Sequence, residues 1–274
     1  MFTNAKSQKF VFLTSALFIA LFFLSSFGYS AERVGRNDLN LKIIQNLKCD
    51  SEKPLRFVVV GDTRSNMKIF SEIIELTNSL KPDFIIHLGD IVEKGEKTEY
   101  IKIIPYFDRF ESPLLVVPGN HEISKSTKTL KNFENYFGAR EMSFELCGIR
   151  FIIVDNSEGY LSKTQLSAIE KNLKSDETHM IFMHSPPDPP WPKHTFKNGA
   201  KELVNIIKTT GCEYAFFGHV HGYDHRMIGE KCHGYITGGG GAELNGYGFA
   251  KEIYHVLLVT VDKGKIEVKM VPLK

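Results

Sequence analysis

Short apolar runs rich in Val, Ile and Phe alternate with longer stretches in which apolar residues recur at helical spacing. The helical spacing predicts helices at residues 68–80, 99–110, 129–137, 163–173 and 200–209. The short runs predict strands at residues 56–60, 84–88, 114–117, 150–154, 179–183 and 214–217. This alternation predicts an α/β fold.

The two ends of this region differ from its middle. A lead-in helix is predicted at residues 39–47, before a domain that we place at 54–274. The last sixty residues, roughly, have strand-and-turn texture and end in predicted strands at 254–261 and 266–271. Two packed sheets flanked by helices fit the whole pattern.

The first thirty residues have the plan of a secretory signal peptide. Lys6 and Lys9 precede an apolar run at residues 10–24, and small residues follow up to Ser30. We expect cleavage after Ser30, a lead-in segment at 31–53, and a periplasmic or secreted protein without a stable membrane anchor. The alternative is an uncleaved amino-terminal anchor, for which the run is short.

Charge and cysteine content narrow the function. Without residues 1–30, which hold two lysines and no acid, 32 basic residues face 32 acidic ones, so no global field draws the chain to nucleic acid. Four cysteines in an exported chain favour disulfides, in pairings that sequence alone leaves open. Because Cys212 and Cys232 bracket one hairpin, we expect that pair to be bridged, leaving Cys49 and Cys147.

Five short polar motifs directly follow five of the predicted strands. They are Gly61-Asp62-Thr63-Arg64, Gly89-Asp90, Gly119-Asn120-His121-Glu122, His184 and Gly218-His219-Val220-His221. A single Gly-Asp is more often a turn than a site. Five motifs at strand ends place Asp, Asn and His in one crevice, and these residue types ligate divalent metals. The pattern therefore indicates a two-metal hydrolase.

The order and spacing of these motifs resemble the calcineurin-like metallophosphoesterase superfamily, which includes the purple acid phosphatases. The resemblance runs from about Leu55 to the end of the chain. It implies a four-layer α/β/β/α sandwich of two mixed sheets flanked by helices. It also implies hydrolysis of phosphate esters by a metal-bound hydroxide, with two divalent or mixed-valence ions among zinc, manganese and iron.

The resemblance also assigns roles. Asp90 would bridge the two metals, and His121 would donate a proton to the leaving oxygen, which makes these two the catalytic residues. Asn120 would contact substrate as well as metal. The six implied metal ligands are Asp62, Asp90 and His221 for the first ion, with Asp90, Asn120, His184 and His219 for the second.

Two positions depart from the family pattern. Arg64 stands where many relatives carry a metal-binding His, and a guanidinium cannot ligate a cation. Arg64 would instead bind a phosphate oxygen or pair with a carboxylate, and the first metal site would be weaker. Glu93 stands where purple acid phosphatases carry a Tyr, and we interpret it as a solvated loop residue rather than a ligand.

Two further segments have open interpretations. His194 follows a proline-rich stretch, and either contacts substrate, as a His near that offset does in purple acid phosphatases, or lies on a surface loop. The glycine run 237–243 is interpreted as a rim loop that permits close packing, with phosphate contact the lesser alternative.

Three hypotheses for the function follow. The first is an exported dinuclear phosphoesterase acting on small phosphorylated molecules, with phosphomonoesters favoured. The second is a mononuclear or non-catalytic metal-binding module, motivated by Arg64. The third, a structural or partner-binding domain, would require five ordered ligand motifs to arise by coincidence. Oligomeric state leaves no trace in the sequence.

Cleavage of the signal peptide is directly testable. Expression of the full chain in a bacterium with a general secretion pathway should yield a periplasmic protein whose amino terminus is Ala31, because Gly28 and Ser30 supply the small residues the peptidase requires. Intact-mass spectrometry measures this. Recovery of the full-length chain in the membrane fraction would establish the uncleaved anchor instead.

Overall fold

The computed structural model describes residues 35–50 and 52–274. In this range the helices are α1 (Arg36–Gln45), α2 (Met67–Ser79), α3 (Lys97–Phe107), α4 (Lys131–Phe137), α5 (Lys163–Asn172) and α6 (Ala200–Thr210). The strands are β1 (Leu55–Val60), β2 (Phe84–His87), β3 (Leu114–Val116), β4 (Met142–Leu146), β5 (Ile149–Ile153), β6 (Thr178–Met183), β7 (Tyr214–Phe217), β8 (Tyr223–Ile228), β9 (Cys232–Thr237), β10 (His255–Asp262) and β11 (Lys265–Pro272).

The strands form two mixed sheets. The first has the order β11-β10-β1-β2-β3, in which β1, β2 and β3 are parallel and β10 and β11 are antiparallel additions. The second has the order β4-β5-β6-β7-β9-β8, with a parallel centre of β5, β6, β7 and β9. Parallel strands leave their carboxyl ends at one edge of each sheet, where the loops of α/β folds place functional residues.

Alternation along β1 shows how the layers arise. Phe57 and Val59 point into the core between the two sheets, whereas Val58 and Val60 point into the core under α2, α3 and α4. A third core packs the outer face of the second sheet against α5 and α6. Phe57 meets Phe151 edge to face across the sheets, with ring centroids 5.5 Å apart. The architecture is the four-layer α/β/β/α sandwich, as expected from the sequence.

Helix α1 covers the exposed edge of the first sheet. The side-chain amide of Asn37 is fully buried, donates to the carbonyl of Val116 at 2.9 Å, and accepts from the N–H of Val116 at 2.9 Å. This amide thus takes the place of a neighbouring strand for β3. Because an open strand edge invites unwanted pairing, α1 is an integral part of the domain.

The predicted elements match the structure closely, with shifts of one to three residues at most ends. Helix α1 begins at Arg36, three residues earlier than predicted, and α3 ends at Phe107 rather than residue 110. A capping box of Ser162 and Gln165 opens α5. Strand β4 was not predicted, although Met142, Phe144 and Leu146 alternate with polar residues in the pattern of a strand buried on one face.

The predicted cysteine pairing is wrong. Cys49 and Cys147 form the disulfide, with Cα atoms 5.4 Å apart, while Cys212 and Cys232 are buried thiols. The thiol of Cys212 donates to the carbonyl of Tyr214 at 3.2 Å. Proximity along a hairpin misled the prediction, since the pairing depends on α1 bringing Cys49 to the turn between β4 and β5.

The predicted signal peptide, residues 1–30, lies outside the described residues. Over 35–50 and 52–274, no helix combines the length and the apolar character needed to cross a bilayer.

The disulfide should stabilise the fold without serving the chemistry. It closes a loop with a sequence separation of 98, so the double variant Cys49→Ser/Cys147→Ser should lose about 2–5 kcal/mol of unfolding free energy. Urea denaturation with and without dithiothreitol measures this. The reductant should lower the stability of the parent protein to that of the variant and leave the variant unchanged. Equal stability of parent and variant without reductant would contradict the bridge.

Candidate metal centre

The polar motifs meet where the carboxyl ends of the parallel strands of both sheets converge. Asp62 and Asp90 follow β1 and β2 in the first sheet, and His184 and His219 follow β6 and β7 in the second. Asp62, Asp90 and His219 have φ angles of 64°, 55° and 68°. Non-glycine residues seldom adopt this left-handed conformation and do so most often at functional sites, so the loops are shaped around these side chains.

His184 is the centre of one group of ligating atoms. Its Nε2 lies 3.0 Å from Oδ1 of Asn120, 3.0 Å from Nδ1 of His219 and 3.4 Å from Oδ1 of Asp90. His184 is fully buried. The structure thus brings together all four residues that the sequence assigned to the second ion.

Asp62, Asp90 and His221 form the other group. Nε2 of His221 lies 3.7 Å from Oδ1 of Asp62, and ligating atoms of the three residues all lie within 4.8 Å of one another. Asp90 belongs to both groups. A carboxylate shared by two groups is the arrangement needed to bridge two metal ions.

The hydrogen bonds of the imidazoles show that these groups suit a cation. Nδ1 of His184 lies 2.7 Å from the carbonyl oxygen of Leu88, which only accepts, so Nδ1 carries the hydrogen and Nε2 a lone pair. That lone pair faces the Oδ1 acceptor of Asn120. His221 repeats the pattern, because its Nδ1 donates to the carbonyl of Glu243 at 2.7 Å. Acceptors that face one another across a crevice are satisfied by a metal ion between them.

Electrostatics supports the same assignment. Burial and the neighbouring charge of Asp90 raise the pKa of Asp62 well above its usual range. Burial lowers the pKa of His219 to about 3 and also lowers that of His221, which keeps both imidazoles neutral at pH 7. Two buried carboxylates beside neutral imidazoles repel each other, and a cation removes this cost.

The sequence profile of the calcineurin-like phosphoesterases matches residues 55–223, more than half of the chain. The chain belongs to the calcineurin-like phosphoesterase family. It is therefore a phosphoester hydrolase with a metal-dependent site, as the motifs predicted.

Several curated relatives of this chain are phosphodiesterases by name. A probable cyclic nucleotide phosphodiesterase of Vesicomyosocius okutanii is 25% identical over 67% of this chain and 79% of the relative. A probable glycerophosphodiester phosphodiesterase of Arcobacter nitrofigilis is 31% identical over 43% of this chain and 48% of the relative. A 3′,5′-cyclic-nucleotide phosphodiesterase of Nostoc is 24% identical over 59% of this chain and 64% of the relative. The chain thus spans about half to four fifths of these relatives.

Solved structures confirm the fold. A purple acid phosphatase from yellow lupin superposes with a TM-score of 0.66 and 15% identity, over 80% of this chain and 52% of the other. A dimetal phosphatase from Danio rerio superposes with a TM-score of 0.59 and 11% identity, over 81% of this chain and 99% of the other. At these identities the likeness concerns the architecture.

Glu122 is a residue of the phosphoesterase site to which the sequence analysis assigned no role. Its carboxylate is fully buried and accepts the backbone N–H groups of Asp90 at 2.7 Å, Ile91 at 2.9 Å, Val92 at 3.3 Å and Gly119 at 2.6 Å. Burial and the charge of Asp90 raise its pKa to about 8, while the N–H donors oppose that rise. Glu122 therefore ties the loop of Asp90 to the loop of Asn120. The signal available in the sequence was a Glu directly after Asn120, a predicted ligand, and His121, the predicted proton donor.

Gly119 and Gly218 are required by close approach at the phosphoesterase site. A Cβ on Gly119 would lie 2.4 Å from Oδ1 of Asp90, and one on Gly218 would lie 2.5 Å from Oδ2 of Asp62. Any side chain at either position would displace a carboxylate of the centre, which explains the glycine in both motifs.

His121 lies beside the two groups without joining them. Its Nδ1 donates to the carbonyl of Glu93 at 2.6 Å, so Nε2 points toward the crevice and lies 3.8 Å from Oδ2 of Asp90. The side chain is 18% exposed, which leaves it accessible to a bound molecule. This position fits the role of proton donor that the family resemblance implies.

Arg64 pairs with a carboxylate, which was one of its two predicted roles. Its Nε donates to Oε2 of Glu93 at 3.0 Å, and a second guanidinium nitrogen donates to Oε1. Glu93 therefore does not lie among the metal-ligating groups, in agreement with its interpretation as a loop residue. The two side chains are 25% and 41% exposed.

His194 reaches the rim of the centre. Its ring stacks on that of Tyr247, with centroids 3.6 Å apart, and lies 5.7 Å from the ring of His219. The glycine run packs below this rim, where the N–H of Gly240 donates to the carbonyl of Gly61 at 2.8 Å. Some N–H groups of the glycine run are thus hydrogen-bonded within the protein, in agreement with a loop whose role is packing.

The five histidines outside the candidate centre contact ordinary protein groups. His87 is buried, accepts the N–H of Gly89 at Nδ1 and bonds to Thr63 through Nε2 at 2.9 Å, and burial lowers its pKa to about 3. The ring of His225 stacks on Tyr235. The other members of this group, His179, His233 and His255, also contact protein groups.

Replacing one acceptor oxygen of Glu122 should loosen both loops. In Glu122→Gln one carboxylate oxygen becomes an NH₂ that cannot accept, so buried N–H groups lose their partner. We expect a loss of about 3 kcal/mol in unfolding free energy and a lower metal content by elemental analysis. Glu99→Gln is the matched control, since Glu99 also accepts two backbone N–H groups but at an exposed position. Equal behaviour of the two variants would contradict the role of Glu122.

Proposed function

We propose that this protein hydrolyses small phosphate esters with two metal ions bridged by Asp90. The observation that carries the proposal is that Asp90 belongs to both ligand groups, with Asn120, His184 and His219 on one side and Asp62 and His221 on the other. One group alone would hold one ion. The shared carboxylate supports two.

The residues of the chain fit both the ions and the chemistry. Bound metal ions would lower the pKa of water and neutralise charge on the phosphoryl oxygens. The two imidazoles with bonded Nδ1 atoms, His184 and His221, present Nε2 lone pairs to the crevice. Metal identity is open among zinc, manganese and iron, because Asp, Asn and His ligate all three.

His121 would hold the proton that the departing oxygen needs. Its Nδ1–H is committed to the carbonyl of Glu93. Proton donation therefore requires the imidazolium form, in which Nε2 also carries a hydrogen and gives it to the leaving oxygen. Departure of an alkoxide without a proton is slow, and a positioned acid typically contributes about 10² to 10⁴ in rate.

Two ester classes are candidates. The sequence favoured phosphomonoesters, whereas the relatives named above are phosphodiesterases. The ion pair of Arg64 with Glu93 also bears on the choice, because the charge of this guanidinium is already balanced. A diester carries one negative charge where a monoester carries up to two, so we propose small phosphodiesters as the first class and phosphomonoesters as the second.

We also propose that the enzyme is exported and acts in the periplasm or outside the cell. The signal-like residues 1–30 and the disulfide between Cys49 and Cys147 support this compartment. The competing hypothesis of a mononuclear or non-catalytic module predicts one metal ion or none, and therefore differs in metal content.

The bridging role of Asp90 is testable by substitution. Asp90→Asn keeps the shape of the side chain but removes the charge shared by both groups, so metal content should fall below two per chain and hydrolysis should be lost. Elemental analysis and release of nitrophenol with added zinc, manganese or iron measure both. Asp108→Asn, at an exposed carboxylate, is the control. Full activity of Asp90→Asn would contradict the two-metal mechanism.

The role of His121 predicts a different outcome. His121→Ala removes the proton donor and no ligand, so the protein should keep two metals while kcat for a phosphate ester with an alkyl leaving group falls by about 100-fold or more. Loss of metal together with activity would show that His121 is a ligand.

Paired substrates decide the ester class. Bis(p-nitrophenyl) phosphate and p-nitrophenyl phosphate release the same product, so their kcat/KM values compare diester with monoester directly. We expect the higher value for the diester. The reverse order would favour phosphomonoesters, and no hydrolysis of either with two metals bound would contradict the proposed function.

A further inference from the structure

Arg64 and Glu93 join the first two ligand loops through a two-pronged ion pair. Two guanidinium nitrogens of Arg64 contact the two carboxylate oxygens of Glu93. This geometry fixes direction as well as distance, because the guanidinium fork and the carboxylate are both planar. Arg64 therefore has a protein partner at the position where the sequence suggested a substrate contact.

The backbone holds Arg64 in place for this contact. The N–H of Arg64 donates to the carbonyl of Asp90 at 2.8 Å, and the N–H of Ser65 donates to the carbonyl of Ile91 at 3.1 Å. Arg64 also has a φ of 44°, which a non-glycine residue adopts only when the surrounding structure imposes it. The direction of the guanidinium is thus set by the fold of both loops.

Glu93 connects this ion pair to His121. Its carbonyl oxygen accepts the Nδ1–H of His121 at 2.6 Å, which turns Nε2 toward the crevice. The carboxylate of Glu122 holds the amides of Asp90, Ile91 and Val92, and the next residue along the chain is Glu93. Arg64 therefore holds Glu93, which connects the loop bound by Glu122 to His121.

We propose that the Arg64–Glu93 ion pair positions the imidazole of His121 for proton donation, and that Arg64 does not bind the phosphate. The proposal rests on the proposed function, in which His121 gives the proton to the leaving oxygen. Arg64 and Glu93 are then positioning residues that act through His121. The fixed ring direction matters because proton transfer requires donor and acceptor within hydrogen-bond reach.

The proposal predicts a dependence on the leaving group. p-Nitrophenolate is stable as an anion and departs with little help, whereas an alkoxide needs the proton. Loss of the ion pair should therefore slow alkyl esters and leave p-nitrophenyl esters nearly unchanged. A residue that bound the phosphate would affect both substrates alike, because both carry the same phosphoryl group.

The experiment compares Arg64→Ala and Glu93→Gln with the parent protein on two matched substrates. These are methyl p-nitrophenyl phosphate and dimethyl phosphate, or p-nitrophenyl phosphate and ethyl phosphate if monoesters are preferred. We expect kcat for the alkyl leaving group to fall about tenfold, with less than about a twofold change in kcat for p-nitrophenolate or in KM. Metal content should stay at the parent value. Arg64→Lys, which keeps the charge, should recover part of the loss.

The matched control is Arg150→Ala. Arg150 pairs with Glu177 at 2.8 Å, and these side chains are 24% and 19% exposed, but the pair lies at the opposite end of the strands. This variant should leave both substrates unaffected. Equal losses with both leaving groups in Arg64→Ala, or a raised KM for both, would overturn the proposal.

A readout without turnover separates this proposal from the proposed function. In ¹⁵N-histidine-labelled protein, the Nδ1–H of His121 should give an NMR signal protected from exchange, which Arg64→Ala should weaken or abolish. An unchanged signal would overturn the positioning role whether or not the enzyme is active. A parent protein that binds metal but hydrolyses no ester contradicts the proposed function alone.

Discussion

Four backbone N–H groups from two loops converge on the carboxylate of Glu122, and the geometry of the centre depends on this contact. Three of the donors belong to the loop of Asp90 and one to Gly119, directly before Asn120. The side chain is buried, so the N–H groups supply the hydrogen bonds that its two oxygens would otherwise lack. Bringing these loops together places Asp90, the proposed bridging ligand, beside the loop of Asn120 and His121. Nε2 of His121, the proposed proton donor, lies 3.8 Å from Oδ2 of Asp90.

Several residues of the candidate metal centre have backbone conformations or contacts that are unfavourable in the protein alone. Asp62, Asp90 and His219 occupy left-handed backbone conformations, and two imidazole lone pairs face oxygen acceptors instead of donors. Each departure costs free energy in the protein alone. Cations bound in the crevice would explain all of these features together, although no single feature requires them. This agreement between backbone, hydrogen bonds and charge is stronger support for a metal centre than the motifs were.

The two ends of the sandwich carry different features. The chemistry lies at the carboxyl ends of the parallel strands, where short loops can present side chains from both sheets. The disulfide lies at the opposite end, where Cys49 after α1 meets the turn between β4 and β5. Between them, stacked phenylalanines such as Phe57 and Phe84 fill the space between the sheets and hold the strands in register. A rigid core of this kind keeps ligands from separate strands at fixed distances.

Apolar periodicity was enough to predict the layered fold and the approximate place of each ligand motif, because the period of apolar residues records which side of a strand or helix is buried. Tertiary structure decided the contacts that join distant segments. No local pattern encodes how the elements pack. That packing sets the disulfide partner of Cys49, the ion pair of Arg64 with Glu93 and the hydrogen bonds of Glu122 to two loops. Local periodicity reports burial, whereas partners are chosen by the three-dimensional arrangement.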